Sequence, residues 1–141
     1  MNLAGALFEG ADLYRATLDG ANLNGASFVD CFAAEASFKH ADCANIQAVK
    51  TNFYRAHFNG ADLSGALLWK CVLAAADLRG ARLRDVTLTL DCNSFEELRV
   101  DRNASLELAY LFGRARTAHR NGWLDIVGER GLARLARVFA R

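Results

Sequence analysis

The chain has 141 residues, one domain's length, and its 17 Lys+Arg against 16 Asp+Glu leave a net charge of +1, so no strong field marks it for nucleic acid or an anionic membrane. A hydrophobic fraction of 52% excludes a disordered chain and supplies a core, and the lack of 18 consecutive apolar residues excludes a membrane-spanning helix. The opening MNLAGALFEG shows neither the basic stretch nor the cleavage site of a secretory signal, so the four cysteines read as reduced thiols and the expected location is the cytoplasm.

From Ala6 to Asp85 the chain divides, without insertion or deletion, into blocks of five, among them ALFEG, ADLYR, ANLNG, ADLSG and ADLRG. The first position is Ala in 12 of 16 blocks, and the third, followed from Leu3 to Leu88, is Leu or Phe in 15 of 18. A period of five drifts out of phase with both the helical and the strand repeat within two blocks. It fits a solenoid in which every block turns one corner and presents one small and one large residue inward.

Residues 1–90 resemble the pentapeptide-repeat family, whose pattern is a small residue, Asp or Asn, Leu or Phe, and two variable polar positions. The resemblance implies an all-β solenoid, a right-handed quadrilateral parallel β-helix with four blocks per coil and about four and a half coils. Residues twenty apart would then stack: Leu3, Leu23, Cys43, Leu63 and Leu83 on the first face, and Phe8, Phe28, Ala48, Leu68 and Leu88 on the second. Leu13, Ala33, Phe53 and Leu73 fall on the third, and Leu18, Phe38, Phe58 and Leu78 on the fourth. IQAVK exchanges the usual sizes, Ile46 for the small slot and Ala48 for the large one, which conserves inward volume.

On that frame Cys31 and Cys71 occupy one inward column with Thr51 between them, roughly 9.6 Å apart and beyond disulfide reach. With Cys43 they read as small buried hydrophobes, while Cys92 lies at the end of the repeat. Second-position Asp12, Asn22, Asp42, Asn52, Asp62 and Asp77 are expected to bond backbone groups at the corners rather than to act as catalytic acids. His40, His57 and His119 read as unrelated surface residues. No CxxC, HxxxH, GxSxG, P-loop or GxGxxG occurs, so no metal, cofactor or enzymatic activity is expected.

Inward residues are architecture, so recognition falls to the outward positions. The first and fourth faces carry Asn2, Asn24, Lys39, Asn59, Ser64 and Arg79. The second carries Leu7, Val29, Val49, Leu67 and Trp69, and the third Tyr14, Phe32, Tyr54 and Val72. These nine apolar residues form the candidate interaction surface, for a protein partner that the sequence does not identify or for a second copy.

From Ser94 onward the rule of five stops, which divides the chain into a repeat domain at 1–93 and a helical segment at 94–141 expected to cap the last coil. Ser94-Phe95-Glu96-Glu97 has the form of a capping box and announces a helix. Asn103 is the expected N-cap of a second helix through LELAYLFGRARTAHR. A last helix near 131–140 sets Leu132, Leu135, Ala136 and Phe139 on one face and the basic stripe Arg130, Arg134, Arg137 and Arg141 on another. That stripe reads first as a solvated face, so direct nucleic-acid binding is not expected. Met1 begins inside the repeat, where a head-to-head dimer through an uncapped end is expected.

The function expected is a non-catalytic scaffold for protein–protein contact or self-association. The alternative implied by the resemblance is a DNA mimic that binds and protects DNA gyrase from quinolones. A mimic needs a dense acidic surface. Residues 1–93 instead set ten acids against eight bases, only −2, with Arg79, Arg82 and Arg84 clustered.

Overall fold

The computed structural model describes residues 1–88 and 97–114. Each block of five forms one side of a square coil because its fifth residue turns into the left-handed region. At every multiple of five from Gly5 to Asp85, φ lies between 51° and 75°. L-residues enter that region at a cost of about 1–2 kcal/mol and glycine enters it freely. All seven glycines among the first 88 residues stand at these corners, and ten corners, Ala75 and Lys50 among them, carry a side chain instead.

Five short strands form one parallel sheet in chain order: β1 (Leu7–Glu9), β2 (Ser27–Val29), β3 (Gln47–Val49), β4 (Leu67–Trp69) and β5 (Thr87–Leu88). Each pairs with the next at an offset of 20, as Phe8 does with Phe28 and Phe28 with Ala48. The other three sides repeat the same offset through single bridges, such as Asn22 to Asp42, Phe32 to Asn52 and Ser37 to His57.

The backbone amides of a turning side can be followed one by one. In the block from Ala61, the N–H of Asp62 donates to Ala41 O at 3.0 Å and that of Leu63 to Arg82 O at 2.8 Å. The Gly65 N–H donates to Arg84 O at 2.8 Å, and the next Ala66 N–H closes the corner onto Leu63 O at 3.0 Å. Only the fourth N–H lacks a backbone acceptor, and Asp62 Oδ1 takes it, from Ser64, at 2.9 Å. Asp12, Asn22, Asp42, Asn52 and Asp77 serve the same amide in their blocks, as the sequence predicts, and so does Asn2. None of the seven stands on the sheet side, where the second position is Leu, Ser, Gln or Thr and the chain stays extended.

The interior is filled by the first and third positions. Phe28, Phe38, Phe53 and Phe58 are sealed from solvent. Phe8 stacks on Phe28 and Phe38 on Phe58, both at 4.8 Å between ring centroids, while Phe53 meets Phe58 edge-on at 5.4 Å. Ile46 and Ala48 are both buried, so the exchanged pair keeps the volume. In the inward column Cys31, Thr51 and Cys71, each side chain donates to a carbonyl 23 residues back. Cys31 Sγ reaches Phe8 O at 3.2 Å, Thr51 Oγ1 reaches Phe28 O at 3.1 Å, and Cys71 Sγ reaches Ala48 O at 3.3 Å. Thiol and hydroxyl share the slot because each offers one small donor.

Past the repeat, the structure corrects the sequence reading. Residue 97 does not belong to a helix: Glu97 takes φ 56°, and Arg99 bridges to Asp77 at an offset of 22. Leu98 and Val100 pack against the core, so this stretch adds one more side to the coil. Pairing with an open strand edge outweighs a short local capping pattern; Ser94–Glu96 lie outside the described residues. The helix α1 (Arg102–Arg114) follows, and its N-cap is Asp101, not Asn103: Asp101 Oδ1 accepts the Ala104 N–H at 2.8 Å. Ala104 and Leu108 are buried, and Leu108 shares an apolar cavity with Leu78, Leu83, Val86 and Leu88. Two carboxylates stand in for the carbonyls of an absent next coil: Asp101 takes the Gly80 N–H and Glu107 the Leu83 N–H. Helices proposed beyond residue 114 fall outside the described residues.

Two stability predictions follow from the corners and from this end. Gly25→Ala, whose added Cβ meets nothing within 4 Å, should cost about 1 kcal/mol through backbone strain alone. Gly60→Ala sets its Cβ 2.5 Å from His40 Nδ1 and should cost more, an excess that His40→Gly removes in urea unfolding. Glu107→Ala orphans the buried Leu83 N–H and should lower stability by about 1–3 kcal/mol in the same measurement, with Leu106→Ala as an exposed control.

Candidate interaction surface

The nine outward apolar residues sit where the repeat places them. Leu7, Val29, Val49, Leu67 and Trp69 are on the sheet side and Tyr14, Phe32, Tyr54 and Val72 on the next. They do not form one continuous patch. Val29, Val49 and Trp69 pair in sequence across β2, β3 and β4, but Ser27 and Gln47 separate Leu7 from Leu67. Asn52 separates Phe32 from Val72. Val29, Val49, Leu67, Trp69 and Val72 are half-buried, and the strongest exposure lies in Leu7 at 67%, Phe32 at 46%, Tyr14 at 45% and Tyr54 at 37%.

Tyr14 and Phe32 stack at 5.8 Å between centroids. Tyr14 and Tyr54 are each followed by a corner arginine whose left-handed backbone turns the side chain back over the ring. Arg15 Cζ lies 4.9 Å from the Tyr14 centroid and Arg55 Cζ 5.1 Å from that of Tyr54. Lys70 does the same over Trp69 at 4.5 Å. Arg15 also pairs with Glu35 one coil on, at 2.7 Å. These aromatic–cation pairs escaped the sequence reading, although Tyr-Arg, Tyr-Arg and Trp-Lys at positions four and five of their blocks carry the signal.

A second column also escaped it. Ser37, His57 and Asp77 stack on successive coils of the fourth side, the residue types of a nucleophilic relay. The geometry does not wire them as one. Ser37 Oγ is sealed from solvent and has no hydrogen-bond partner. Asp77 is committed to Arg79, accepting from Nε at 2.8 Å and Nη2 at 2.6 Å, and Arg99 Nη1 lies 3.9 Å away. Those bonds, with a further one from Asn59, hold the Asp77 carboxyl well below the usual carboxylate range. The ion pairs tie the coil below to the extra side at residues 97–100.

Cys31, Cys43 and Cys71 are free and buried. Burial, reinforced by Asp42 and Asp62, pushes the Cys43 thiol up to about 12, and burial pushes Cys71 up to about 11. Neither is a nucleophile near neutral pH. Among the described residues no group of three or more His, Cys, Asp or Glu could hold a metal ion, and no helix is long and apolar enough to cross a membrane. Cys92, His119 and the stripe Arg130, Arg134, Arg137 and Arg141 fall outside the described residues.

The offset of 20 on four sides meets its sequence counterpart in a family profile: pentapeptide repeats match in eight copies over residues 1–28, 18–53, 34–69 and 51–89. The chain belongs to the pentapeptide-repeat family. Its fold is the family's right-handed quadrilateral β-helix. Among solved structures, this pentapeptide-repeat chain is similar to one from the Arabidopsis thaliana thylakoid lumen, with 24% identity over 77% of this chain and 74% of that one, and a TM-score of 0.42. It is similar also to Rfr23 from the cyanobacterium Cyanothece 51142, at 19% identity over 72% and 85% of the two chains, TM-score 0.28. A third is QnrB1, a plasmid-mediated fluoroquinolone resistance protein, at 20% identity over 82% and 84%, TM-score 0.38. A search of curated protein sequences finds no significant match.

The Asp77 carboxylate is stabilised in the folded state, so it binds fewer protons there than in the unfolded chain. The stability difference between the natural chain and Asp77→Asn should hold constant from pH 8 to 5. It should shrink only below about pH 4, where the unfolded carboxylate takes up its proton. Urea titrations at stepped pH check this.

Proposed function

We propose that this pentapeptide-repeat protein is a non-catalytic scaffold that binds a protein partner, or a second copy of itself, through its second and third faces. The observation that carries the reading is the exposure of Leu7, Tyr14, Phe32 and Tyr54 on two adjacent sides of a solenoid whose interior is already filled. A packed β-helix gains nothing from large apolar side chains turned to solvent, whereas an interface does. Tyrosines topped by arginines suit such a surface, since both residue types concentrate binding energy where partners meet. The first and fourth sides offer mainly amides, charges and glycine corners.

The fluoroquinolone resistance of QnrB1 is not carried over to this chain. A gyrase-protecting mimic would need a dense acidic face, and here Arg82 pairs with Asp62 while Arg79 and Arg99 surround Asp77. Gyrase supercoiling with a quinolone present is expected to be indifferent to this protein.

Tyr54→Ser with Leu67→Glu and Trp69→Glu tests the scaffold reading. Light scattering after size exclusion should show a dimer that the triple variant splits. If the chain is monomeric, affinity capture should retain a binding protein that the variant, with unchanged circular dichroism, loses. Contacts mapped only to the first and fourth sides would overturn the proposal.

A further inference from the structure

The register of the sheet gives the second side a symmetry of its own. Its outward residues stand in two columns, Leu7, Ser27, Gln47, Leu67 and Glu9, Val29, Val49, Trp69. The corner beside them is the column Gly10, Asp30, Lys50, Lys70. A second copy turned over onto this side, about an axis along the strands and midway between β2 and β3, sets β1 against β4 and β2 against β3. Each column then meets itself in reverse order. Leu7 falls on Leu67 of the second copy, Val29 on Val49, and the Ser27 hydroxyl on the Gln47 amide. Asp30 falls on Lys50, and Glu9 on Trp69, whose ring lies 4.5 Å from Lys70 Nζ. Apolar groups meet apolar groups and both acids meet bases.

The neighbouring side lacks this property. The same operation there sets Asp12 on Val72 and Phe32 on Asn52, which would bury polar groups against apolar ones. The far edge of the second side is Gly5, Gly25, Asn45 and Gly65, so no long side chain holds two such sheets apart. Glu9, Asp30, Lys50 and Lys70 are all exposed. We propose that the second side is a self-complementary surface on which a second copy of this chain docks about a twofold axis between β2 and β3. The inference rests on the proposed function and divides its surface: the second side takes a copy of the chain, and Tyr14, Phe32 and Tyr54 on the third stay open to a different protein. From β1 to β4, strand spacing of about 4.8 Å and a side of about 16 Å give roughly 300 Å² per copy. That area belongs to a transient, concentration-dependent dimer.

Sedimentation velocity of the full chain, from about 10 to 500 µM, tests it. Glu9→Lys/Asp30→Lys makes the charges of the side all basic, and Lys50→Asp/Lys70→Asp makes them all acidic. At the corners these exchanges use residues that equivalent corners already carry, Lys at 50 and 70 and Asp at 30. The natural chain should dimerise in about 50 mM salt, with a dissociation constant roughly tenfold higher in about 0.5 M salt. Each variant alone, with unchanged circular dichroism, should bind itself at least about tenfold more weakly, and an equimolar mixture should restore a one-to-one heterodimer. Tyr54→Ser, on the third side, should leave the natural dimer unchanged. A chain that stays monomeric throughout overturns the inference, while capture of a foreign protein still tests the scaffold reading. A dimer indifferent to salt or to both charge exchanges overturns it and leaves self-association standing by another route. A mixture that fails to re-form the dimer also overturns it. Weakening by Tyr54→Ser does so as well, by moving the contact to the third side. The salt and Tyr54 measurements keep the natural second side, so they decide even where an exchanged variant fails to fold.

Discussion

Every side of this molecule depends on a backbone reversal that L-amino acids resist. The left-handed fifth residue makes a straight five-residue run into a corner, and four such corners close a coil. Seventeen of them recur between Gly5 and Asp85. At about 1–2 kcal/mol for each of the ten that carry a side chain, the strain would be prohibitive in isolation. It is offset because each corner releases three amides of its block to neighbouring coils and one to the turn. The leftover fourth amide explains why Asp and Asn collect at second positions. Ladder, corner and Asx turn therefore stand or fall together, and a coil is stable only between others.

Termination is a separate problem from repetition. A ladder that runs from coil to coil always leaves a final row of donors. Here the carboxylates of Asp101 and Glu107 receive the Gly80 and Leu83 amides while Ala104 and Leu108 close the apolar interior. Asp101 does this with one oxygen and caps α1 with the other, so the start of the helix and the end of the ladder are fixed by a single side chain. The buried Asp77, held between Arg79 and Arg99, joins the coil below to the added side.

Much of this was legible in the residues. The alternation of Ala with Leu or Phe fixed the inward columns, down to the exchange of Ile46 and Ala48, because inward volume leaves little freedom. The corner conformation was equally written, in glycines that within the first 88 residues stand only at multiples of five, but a period read for hydrophobicity passes over it. Leu98 and Val100 could not be recognised as inward residues, since they follow a two-residue offset and take slots filled by Ala76 and Leu78 one coil below. Ser94–Glu97 matched a helix start, yet an unpaired strand edge supplies more bonds than one cap. On the surface, membership of a column was predictable and exposure was not. Trp69 is shielded by Val49 beside it, whereas Phe32, flanked in its column by Asp12 and Asn52, stays 46% exposed despite its stack on Tyr14.

A unit that stacks on copies of itself has no intrinsic length; nothing in one coil says how many should follow. The offset of 22 between Asp77 and Arg99 supplies that missing information. It shifts the next side out of phase by two residues, so an incoming coil meets helix α1 and spent hydrogen-bond donors in place of a matching edge. Among the described residues, that side offers no matching edge to an added coil, the kind of edge by which parallel β-stacks grow into fibres.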